Sequence, residues 1–507
     1  MEETRGPGGA TELCGVEGGH SAPRAYSASE ELETNDNPPV NSTACGIVVE
    51  QDTAPIKDPA APSGACLGDG KKTDRNEVGK IQENTNIYKT AFHVFKANVG
   101  TGIFILPMFY RHAGYIAGLI IALFTGIFVL DASQLLLRTK LIINREDVDT
   151  YGRVCRHIYG KTMEWILFAC LILTQYAFCL LYVQLAVSTM GSFVSFSGDA
   201  YVWGLVIFLI VFPCTCFSNN FSLLAIASIV ASVSVVVTLI ITYIRIATEL
   251  KSNGPHESVT AFGDNVPFGW FTDMACNLMV LEGIAIVLPA HSGCNQKHLF
   301  KPMLTVILGS IVCLYIFYGL SGYFAYGSAL NEVIVKRMSD QGDFRIPMGC
   351  AFILNVICTY PLQFQPAMQL IDVLFNCKES SLKGRLIRLS INVFIIVLAI
   401  ILGGDTVDMV VGITGALPAV VIVMIIPSLL TLKIDLILNN LDNDKLSFKE
   451  LLAAIVRSPF SFRKLRCIFY IVFGLLVMGF GTYAVLSPSK KNEWEGLEEE
   501  AYTYTHT

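Results

Sequence analysis

The sequence has few charged residues. Only 15% of its 507 residues are Asp, Glu, Lys or Arg, whereas 53% are hydrophobic. Soluble globular domains carry about 25% charged residues, so most of this chain is expected to lie in lipid. Basic residues are also in deficit, since 42 acidic residues outnumber 36 basic ones and the net charge is −6. Because this balance offers no basic surface for a polyphosphate, nucleic acid is not an expected partner.

The sequence also lacks the motifs of enzymes and metal proteins. Neither a Ser-His-Asp set nor a nucleotide-binding motif occurs in a plausible context, and no Cys and His residues have zinc-ligand spacing. The 15 cysteines are an odd number, and most are scattered through apolar segments. A disulfide framework would instead cluster them in a short secreted domain. We therefore expect no enzyme activity, no metal and no cofactor.

The composition divides the chain into three parts. Residues 1–85 are rich in Gly, Pro, Ala, Ser, Glu and Asp, with few large apolar residues, which predicts a disordered cytosolic tail. Residues 86–487 are predicted to form the membrane domain. Residues 488–507 form an acidic tail, which is expected on the extracytoplasmic side.

About eleven segments beyond the first tail are long enough to cross a bilayer, for which a helix needs about 20 apolar residues. They are Tyr88–Tyr110, Tyr115–Leu137, Trp165–Phe193, Tyr201–Phe217, Phe221–Ile246, Phe271–Pro289, Met303–Tyr326, Ile346–Leu374, Leu386–Leu402, Met409–Ile434 and Cys467–Leu486. With a cytosolic N-terminus, the predicted inner loops hold most of the Lys and Arg residues, as cytoplasmic loops do. The prediction is an all-α, multi-pass membrane protein.

The first predicted span contains residues that would interrupt a membrane helix. Its segment 92–107 reads FHVFKANVGTGIFILP, with Gly100 and Gly102 near its centre. Inside hydrocarbon an unpaired backbone group is costly, so a break is tolerated only where it faces protein or a watery cavity. The helix start at a break favours a carboxylate, and carbonyl groups opposite can hold an ammonium. An amino acid carries both groups.

An inverted-repeat architecture places a second broken helix five spans later. The sixth predicted span supplies one in LMVLEGIAIVLP, residues 278–289, where Glu282 and Gly283 lie mid-span. An intramembrane carboxylate is by default a functional hypothesis. The alternative is a packing carboxylate paired with a neighbouring hydroxyl, and for Gly100 and Gly102 it is close helix packing.

These stretches carry a resemblance to a known family. KANVGTGIFILP, VLEGIAIVLP and GALPAVVIVMIIPSLL resemble the signatures of the amino acid/auxin permease family at its first, sixth and tenth spans. HVFKANVGTG, YGRV, LTQYAFCLLYV and YPLQFQPA are most similar to the proton-coupled amino acid transporter branch. The resemblance covers about residues 87–486. It implies the fold of the bacterial leucine transporter, with five plus five inverted spans and an added eleventh, and uptake of amino acids driven by protons.

Substrate contacts are expected from the two breaks and from spans three and eight, which flank them in this fold. The candidate substrate-binding residues are Asn98, Gly100, Thr101, Gly102, Gln175, Tyr176, Leu281, Glu282, Gly283 and Tyr360. The chain departs from the family pattern at Phe104, where relatives usually have a smaller residue or leucine, and at Leu281, where they have an aromatic residue. These departures leave the choice of amino acid open within an expected class of neutral amino acids.

Proton coupling requires a group that changes charge in the cavity. His93 lies inside the first span, matches the histidine of the proton-coupled branch and belongs to a residue type that titrates near neutral pH. Lys96 lies three residues later on the same helical face and would oppose a charge on His93, which Glu282 could offset. The alternatives are a neutral His93 bonded to a backbone carbonyl and a Lys96 that extends to the cytosolic interface.

Other functions use the same pocket and stay open. The chain could be an amino acid sensor or receptor that does not transport, or a sodium-coupled or facilitative carrier. A channel would favour a continuous polar or charged lining, which paired breaks do not provide. The expected partners are an amino acid substrate, protons and the lipid bilayer. The membrane is either the plasma membrane or a vacuolar or lysosomal membrane, and in both a proton symporter would move amino acids into the cytosol.

Overall fold

The structure is a computed structural model in which the chain divides into two units, residues 1–66 and 67–507. Every described residue belongs to the second unit. The described residues are 85–145, 147–193, 199–216, 221–263, 267–330, 333–339, 345–375, 381–439, 453–455 and 457–487. The predicted tails, 1–85 and 488–507, lie outside the described residues except for Thr85.

The described part of the chain is almost entirely helical. Its α-helices are α1 (Ile87–Asn98), α2 (Leu106–Ile143), α3 (Tyr151–Tyr159), α4 (Lys161–Phe193), α5 (Asp199–Cys216), α6 (Phe221–Asn253), α7 (Phe268–Val280), α8 (Ile284–Gly293), α9 (Lys297–Tyr326), α10 (Ile334–Ser339), α11 (Arg345–Leu374), α12 (Leu382–Leu402), α13 (Val407–Thr414), α14 (Ile426–Leu438), α15 (Phe462–Leu476) and α16 (Thr482–Leu486). A 3₁₀ turn, Thr101–Ile105, leads into α2. The π-helical turns Gly415–Ala419 and Val421–Ile425 lie between α13 and α14, and Val477–Gly481 joins α15 to α16. Within this part the one isolated β-bridge joins Thr85 and Cys294.

Nine described helical segments are long and apolar enough to cross a membrane, and a tenth, Ala200–Cys216, is shorter. One of the nine, Thr101–Ile143, has 43 residues, which at about 1.5 Å per residue is roughly twice the bilayer core. It is divided at Gly114, whose φ of 77° and ψ of 173° are not helical. Its two halves are therefore the end of the first span and the whole second span, which gives eleven candidate membrane spans among the described residues. The predicted all-α fold is confirmed.

Gly114 marks a turn that few other residues would allow. A positive φ is a backbone conformation that glycine adopts without a Cβ penalty. A Cβ at this position would also lie 2.7 Å from backbone atoms of Ala261 and Phe262. The next residue, Tyr115, donates its backbone N–H to the carbonyl oxygen of Thr260 at 3.0 Å. The turn between the first two spans is therefore fixed against the segment that precedes α7.

Contacts between helix ends define two ends of the bundle, which we call the α10 end and the α3 end. At the α10 end, Arg111 near the close of the first span lies 3.5 Å from Asp408 at the start of α13. At the α3 end, Arg138 lies 2.9 Å from Asp435 in α14, and the Tyr159 hydroxyl donates to the carbonyl of Leu429 at 2.9 Å.

The sixth and tenth spans lie in the centre of the bundle. The most apolar stretch of the sixth span, Phe268–Gly293, is 78% buried, and that of the tenth, Val407–Leu438, is 72% buried. The ninth span, Leu382–Leu402, is only 28% buried, since much of its apolar surface faces outward. A central span surrounded by protein is where a helix break can be tolerated, because its freed backbone groups do not face lipid.

Candidate functional site

The first span breaks where the sequence predicts. Helix α1 ends at Asn98, and Val99 (φ −98°, ψ 102°) and Gly100 (φ −132°, ψ −160°) are extended. The N–H of Val99 still donates to the carbonyl of Phe95 at 2.9 Å, and the chain becomes helical again at Thr101, which is fully buried. The first N–H groups of a new helix have no partner within that helix. The break therefore presents backbone donors near the middle of the membrane.

The sixth span breaks at the predicted second position. Helix α7 ends at Val280, and α8 begins at Ile284. Between them the N–H of Glu282 donates to the carbonyl of Met279 at 3.2 Å, and the N–H of Gly283 donates to Leu281 at 2.9 Å. These are tight local turns in place of the helical ladder. Both predicted breaks, five spans apart, are confirmed.

The two breaks lie against each other. The side chain of Asn98 is buried, and its Nδ2 donates to the carbonyl of Val94 at 2.8 Å. Its Oδ1 occupies the place that a Cβ on Gly283 would take. The Tyr315 hydroxyl, from the seventh span, donates to the Asn98 carbonyl at 2.6 Å. Three spans thus fix the first break beside the second.

The glycines of the breaks have different surroundings. A Cβ on Gly102 would lie 3.0 Å from Cγ1 of Val280, so this glycine allows the two spans to approach closely. A Cβ on Gly100 would meet no described atom within 4 Å. The extended backbone of Gly100 is one that any residue adopts. Its missing side chain therefore leaves a stretch of backbone uncovered beside open space.

Glu282 connects the sixth break to the third span. Its Oε1 lies 3.1 Å from the hydroxyl of Thr174, which also lies 3.0 Å from the carbonyl of Leu171. A threonine hydroxyl has one proton to donate. It can donate to an ionised Glu282, or it can donate to Leu171 and accept a hydrogen bond from a neutral Glu282. The contact therefore fits both protonation states, and Oε2 of Glu282 is buried with no hydrogen-bond partner among the described residues.

The candidate residues of spans three and eight make contacts within the bundle. The hydroxyl of Tyr176 donates to the sulfur of Met368 at 3.2 Å, and its ring lies 5.6 Å from that of Phe364. The hydroxyl of Tyr360 donates to Oδ1 of Asn392 in the ninth span at 2.9 Å. Gln175, beside Tyr176, is partly buried. The Tyr360 hydroxyl is therefore used in joining spans eight and nine, and the sequence did not indicate this.

The two residues that depart from the family pattern are both buried. Phe104 makes edge-to-face contacts with Tyr318 of the seventh span and Phe352 of the eighth, at ring distances of 6.0 and 5.7 Å. Leu281 is 4% exposed. Phe104 therefore packs between two neighbouring spans directly after the first break.

His93 and Lys96 lie on α1, at the α3 side of the first break. His93 is exposed and Lys96 is partly buried.

His112 and His291, which the sequence did not single out, are buried instead, at 9% and 5% exposed. His112 belongs to a group of ionisable residues that the sequence did not indicate: Arg111, His112, Asp273 and Asp408. Asp273 could have indicated this group, because it is an acidic residue inside a predicted membrane span.

This architecture defines a class of protein. A membrane bundle whose first and sixth spans break side by side at mid-membrane has the arrangement of secondary transporters built from inverted repeats. Residues 83–487 match the family described as "Transmembrane amino acid transporter protein". The match covers most of the chain, and the chain belongs to this family. The resemblance seen in the motifs is confirmed.

Individual relatives are more distant. The chain is similar to the vacuolar amino acid transporter 3 of Saccharomyces cerevisiae, at 21% identity over 81% of this chain and 58% of that protein. It thus spans a little over half the length of this relative. It is also similar to the proton-coupled amino acid transporter-like protein pathetic of Drosophila melanogaster, at 24% identity over 68% of this chain and 76% of that protein. Among solved structures, MhsT in complex with L-phenylalanine aligns with a TM-score of 0.47 at 12% identity, over 80% of this chain and all of that one.

Proposed function

We propose that this chain is a secondary active transporter, and not an enzyme, that moves neutral amino acids into the cytosol together with protons. The observation that carries the proposal is the contact between the two breaks beside the open space at Gly100. Family membership supports amino acids as the substrate class.

The breaks offer complementary partners for the two charged groups of an amino acid. The helices that begin at Thr101 and Ile284 both start at the breaks, and the partial positive charge of a helix start favours the carboxylate. Helices α1 and α7 end there, at Asn98 and Val280, and their terminal carbonyl groups favour the ammonium. A neutral side chain would then need only an apolar environment, which Leu281 beside the break supplies.

Glu282 is the candidate proton carrier that lies in a break. The Thr174 hydroxyl accommodates it in both protonation states, as the distances to Oε1 and to the Leu171 carbonyl allow. His93 and Lys96 remain the second and third candidates, on α1. Lys96 also gives a reason to expect no sodium requirement, because a fixed ammonium on the first span can replace the cation that other transporters bind at their breaks.

The proposed membrane is vacuolar or lysosomal, with the plasma membrane as the alternative. The name of the yeast relative supports the vacuole. The proposed orientation places the α3 end in the cytosol, because cytoplasmic loops retain Lys and Arg. Basic residues described near that end are Arg138, Lys140, Arg145, Arg153 and Arg156. Amino acids would then enter the cytosol from the acidic lumen.

Reconstituted vesicles test the proposal. Vesicles that contain the purified full-length chain are loaded with unlabelled neutral amino acid. Labelled amino acid is then added outside to measure counterflow. Imposed pH and sodium gradients then identify the coupling ion. We expect saturable counterflow, uptake that rises when the extracytoplasmic side is acidified and collapses with a protonophore, and no sodium effect. Binding without counterflow would support a sensor, and sodium-dependent uptake indifferent to pH would contradict the proton coupling.

A further inference from the structure

A second cluster of buried ionisable residues lies at the α10 end, apart from Glu282. Nε2 of His112 lies 2.9 Å from Oδ2 of Asp408, and Nη2 of Arg111 lies 3.5 Å from the same oxygen. Arg111 also donates through Nη1 to the Leu330 carbonyl at 3.4 Å. Asp273 lies in the first half of the broken sixth span, one turn after Gly269, which packs against the backbone carbonyl of His112, and its helix α7 also packs against α13, which carries Asp408. These four residues, Arg111, His112, Asp273 and Asp408, form what we call the α10-end cluster.

Asp273 is the least solvated member of this cluster. It is 0% exposed. Its Oδ1 accepts a hydrogen bond from Nδ2 of Asn277 at 2.9 Å, and its Oδ2 is buried with no partner among the described residues. An ionised carboxylate in such a place lacks the donors that would replace water. A neutral carboxylic acid has no net charge, so its burial requires fewer hydrogen-bond donors from the protein.

Among the described residues, the elements packed against α7 supply no cation beside Asp273 apart from Arg111 and His112, which contact Asp408. From α2 the titratable groups at this end are Tyr110 and the Arg111 and His112 pair. From α13 the group is Asp408. The turns Gly415–Ala419 and Val477–Gly481 carry no titratable side chain, and Tyr483 of α16 packs on Phe268, a full turn away.

The charges of the cluster balance only when Asp273 is neutral or His112 is charged. Arg111 and Asp408 carry opposite charges and lie in contact. If Asp273 ionises while His112 is neutral, the cluster has one uncompensated negative charge in a buried site, which is costly. The side chains of Arg111 and Asp408 are 14% and 7% exposed, so both reach solvent more than Asp273, which is 0% exposed.

We propose that Asp273 is a proton-binding site of the transport cycle, which holds a proton while the contacts of Arg111 and His112 with Asp408 keep the α10 end closed. When these contacts separate, water from the acidic side reaches the site at the α10 end, and an ionised Asp273 takes up a proton from it. Once the α10 end has closed again the carboxylic acid keeps this proton, and the proton leaves to water only when the site opens to the cytosol at the α3 end. The coupling part of this proposal rests on the proposed function, and the protonation part does not.

Infrared spectroscopy of the purified full-length chain tests the protonation directly. At neutral pH the spectrum should contain a carboxylic acid C=O band that Asp273→Asn removes. Asp273→Glu should retain a band at a shifted frequency. The matched control is Asp131→Asn, since Asp131 also lies within a span but is paired with Arg466 at 3.1 Å and with the Tyr470 hydroxyl at 2.7 Å. An unchanged band in Asp273→Asn would overturn the proposal.

Vesicles with an internal pH indicator test the coupling. In Asp273→Asn we expect a lower number of protons moved per labelled amino acid, and a larger loss of pH-driven accumulation than of counterflow, whereas Asp131→Asn should keep the wild-type ratio. A wild-type ratio in Asp273→Asn would overturn the coupling role. Absence of counterflow in the wild-type chain would refute the proposed function instead, and the infrared result would still decide whether Asp273 holds a proton.

Discussion

The two helix breaks contain glycines of opposite character. Gly100 in the first break lies beside open space. In the second break, the Asn98 side chain occupies the space beside Gly283. Both lie in broken membrane helices, and both were predicted as substrate-site residues on that ground. The comparison shows that one glycine leaves backbone open to a ligand while the other lets two spans touch. Substitutions at the two positions should therefore fail for different reasons.

The largest loss of stability is expected from Gly283→Ala. The added Cβ overlaps Oδ1 of Asn98, which is held by its hydrogen bond to Val94, and overpacking of this kind costs about 1–3 kcal/mol. The thermal unfolding midpoint and counterflow should both fall. Gly309→Ala is the control, because a Cβ at Gly309 in α9 meets nothing within 4 Å. Equal midpoints for the two variants would show that the breaks are not in contact.

Gly100→Leu should abolish transport while leaving the unfolding midpoint near that of the wild-type chain. The Cβ of the leucine would meet no described atom within 4 Å, and the rest of its side chain would extend into the space beside the uncovered backbone. Gly100→Ala, with a single added carbon, should retain part of the uptake. Uptake and surface level are measured for both variants. Normal uptake by Gly100→Leu at a normal surface level would rule out this space as the substrate site.

A smaller but more specific effect is expected from Glu282→Gln. The neutral amide keeps the volume and a contact with Thr174 but cannot bind or release a proton, so uptake should weaken and lose its dependence on pH. Thr174→Val is the companion variant, since it removes the hydroxyl that contacts Glu282 and keeps the carboxyl group. It therefore distinguishes loss of this contact from loss of the titratable proton. If Glu282→Gln shows wild-type uptake at every pH, Glu282 is a packing residue.

His93→Ala and Lys96→Ala should give the smallest effects on stability, because His93 is exposed and Lys96 is only partly buried. Their value lies in the pH and sodium profiles of uptake. Loss of pH dependence in His93→Ala would assign the driving proton to His93. Intact pH-driven uptake in that variant would leave Glu282 and Asp273 as carriers, and a new sodium dependence in Lys96→Ala would support the lysine as a replacement for the cation.

Local sequence patterns predicted much of the bundle. Long apolar runs, the glycine pair at Gly100 and Gly102, and the Glu282-Gly283 step were sufficient to place eleven spans and both breaks, since hydrophobicity and helix interruption are properties of a few neighbouring residues. The 3₁₀ and π-helical turns were not predicted. The third span also begins earlier than expected, at Lys161 instead of Trp165.

The roles of individual side chains were harder to predict. Tyr360 was a candidate substrate contact, but its hydroxyl donates to Asn392, which lies 32 residues away in the ninth span. Asp273 was overlooked because the helices that pack against α7, α2 and α13, come from distant parts of the chain. Such contacts depend on which helices pack together, and a single sequence records no pairing between distant segments.

The sequence by itself determined that this protein lies in a membrane, that its first and sixth spans break, and that its motifs resemble those of amino acid transporters. Only the tertiary structure decided which glycine faces open space, that Asn98 fills the place beside Gly283, and that Asp273 is fully buried in a helix packed against α2 and α13. The physical reason is that helix formation and membrane insertion follow from local apolarity. Burial and pairing of a polar group follow from the helices that surround it.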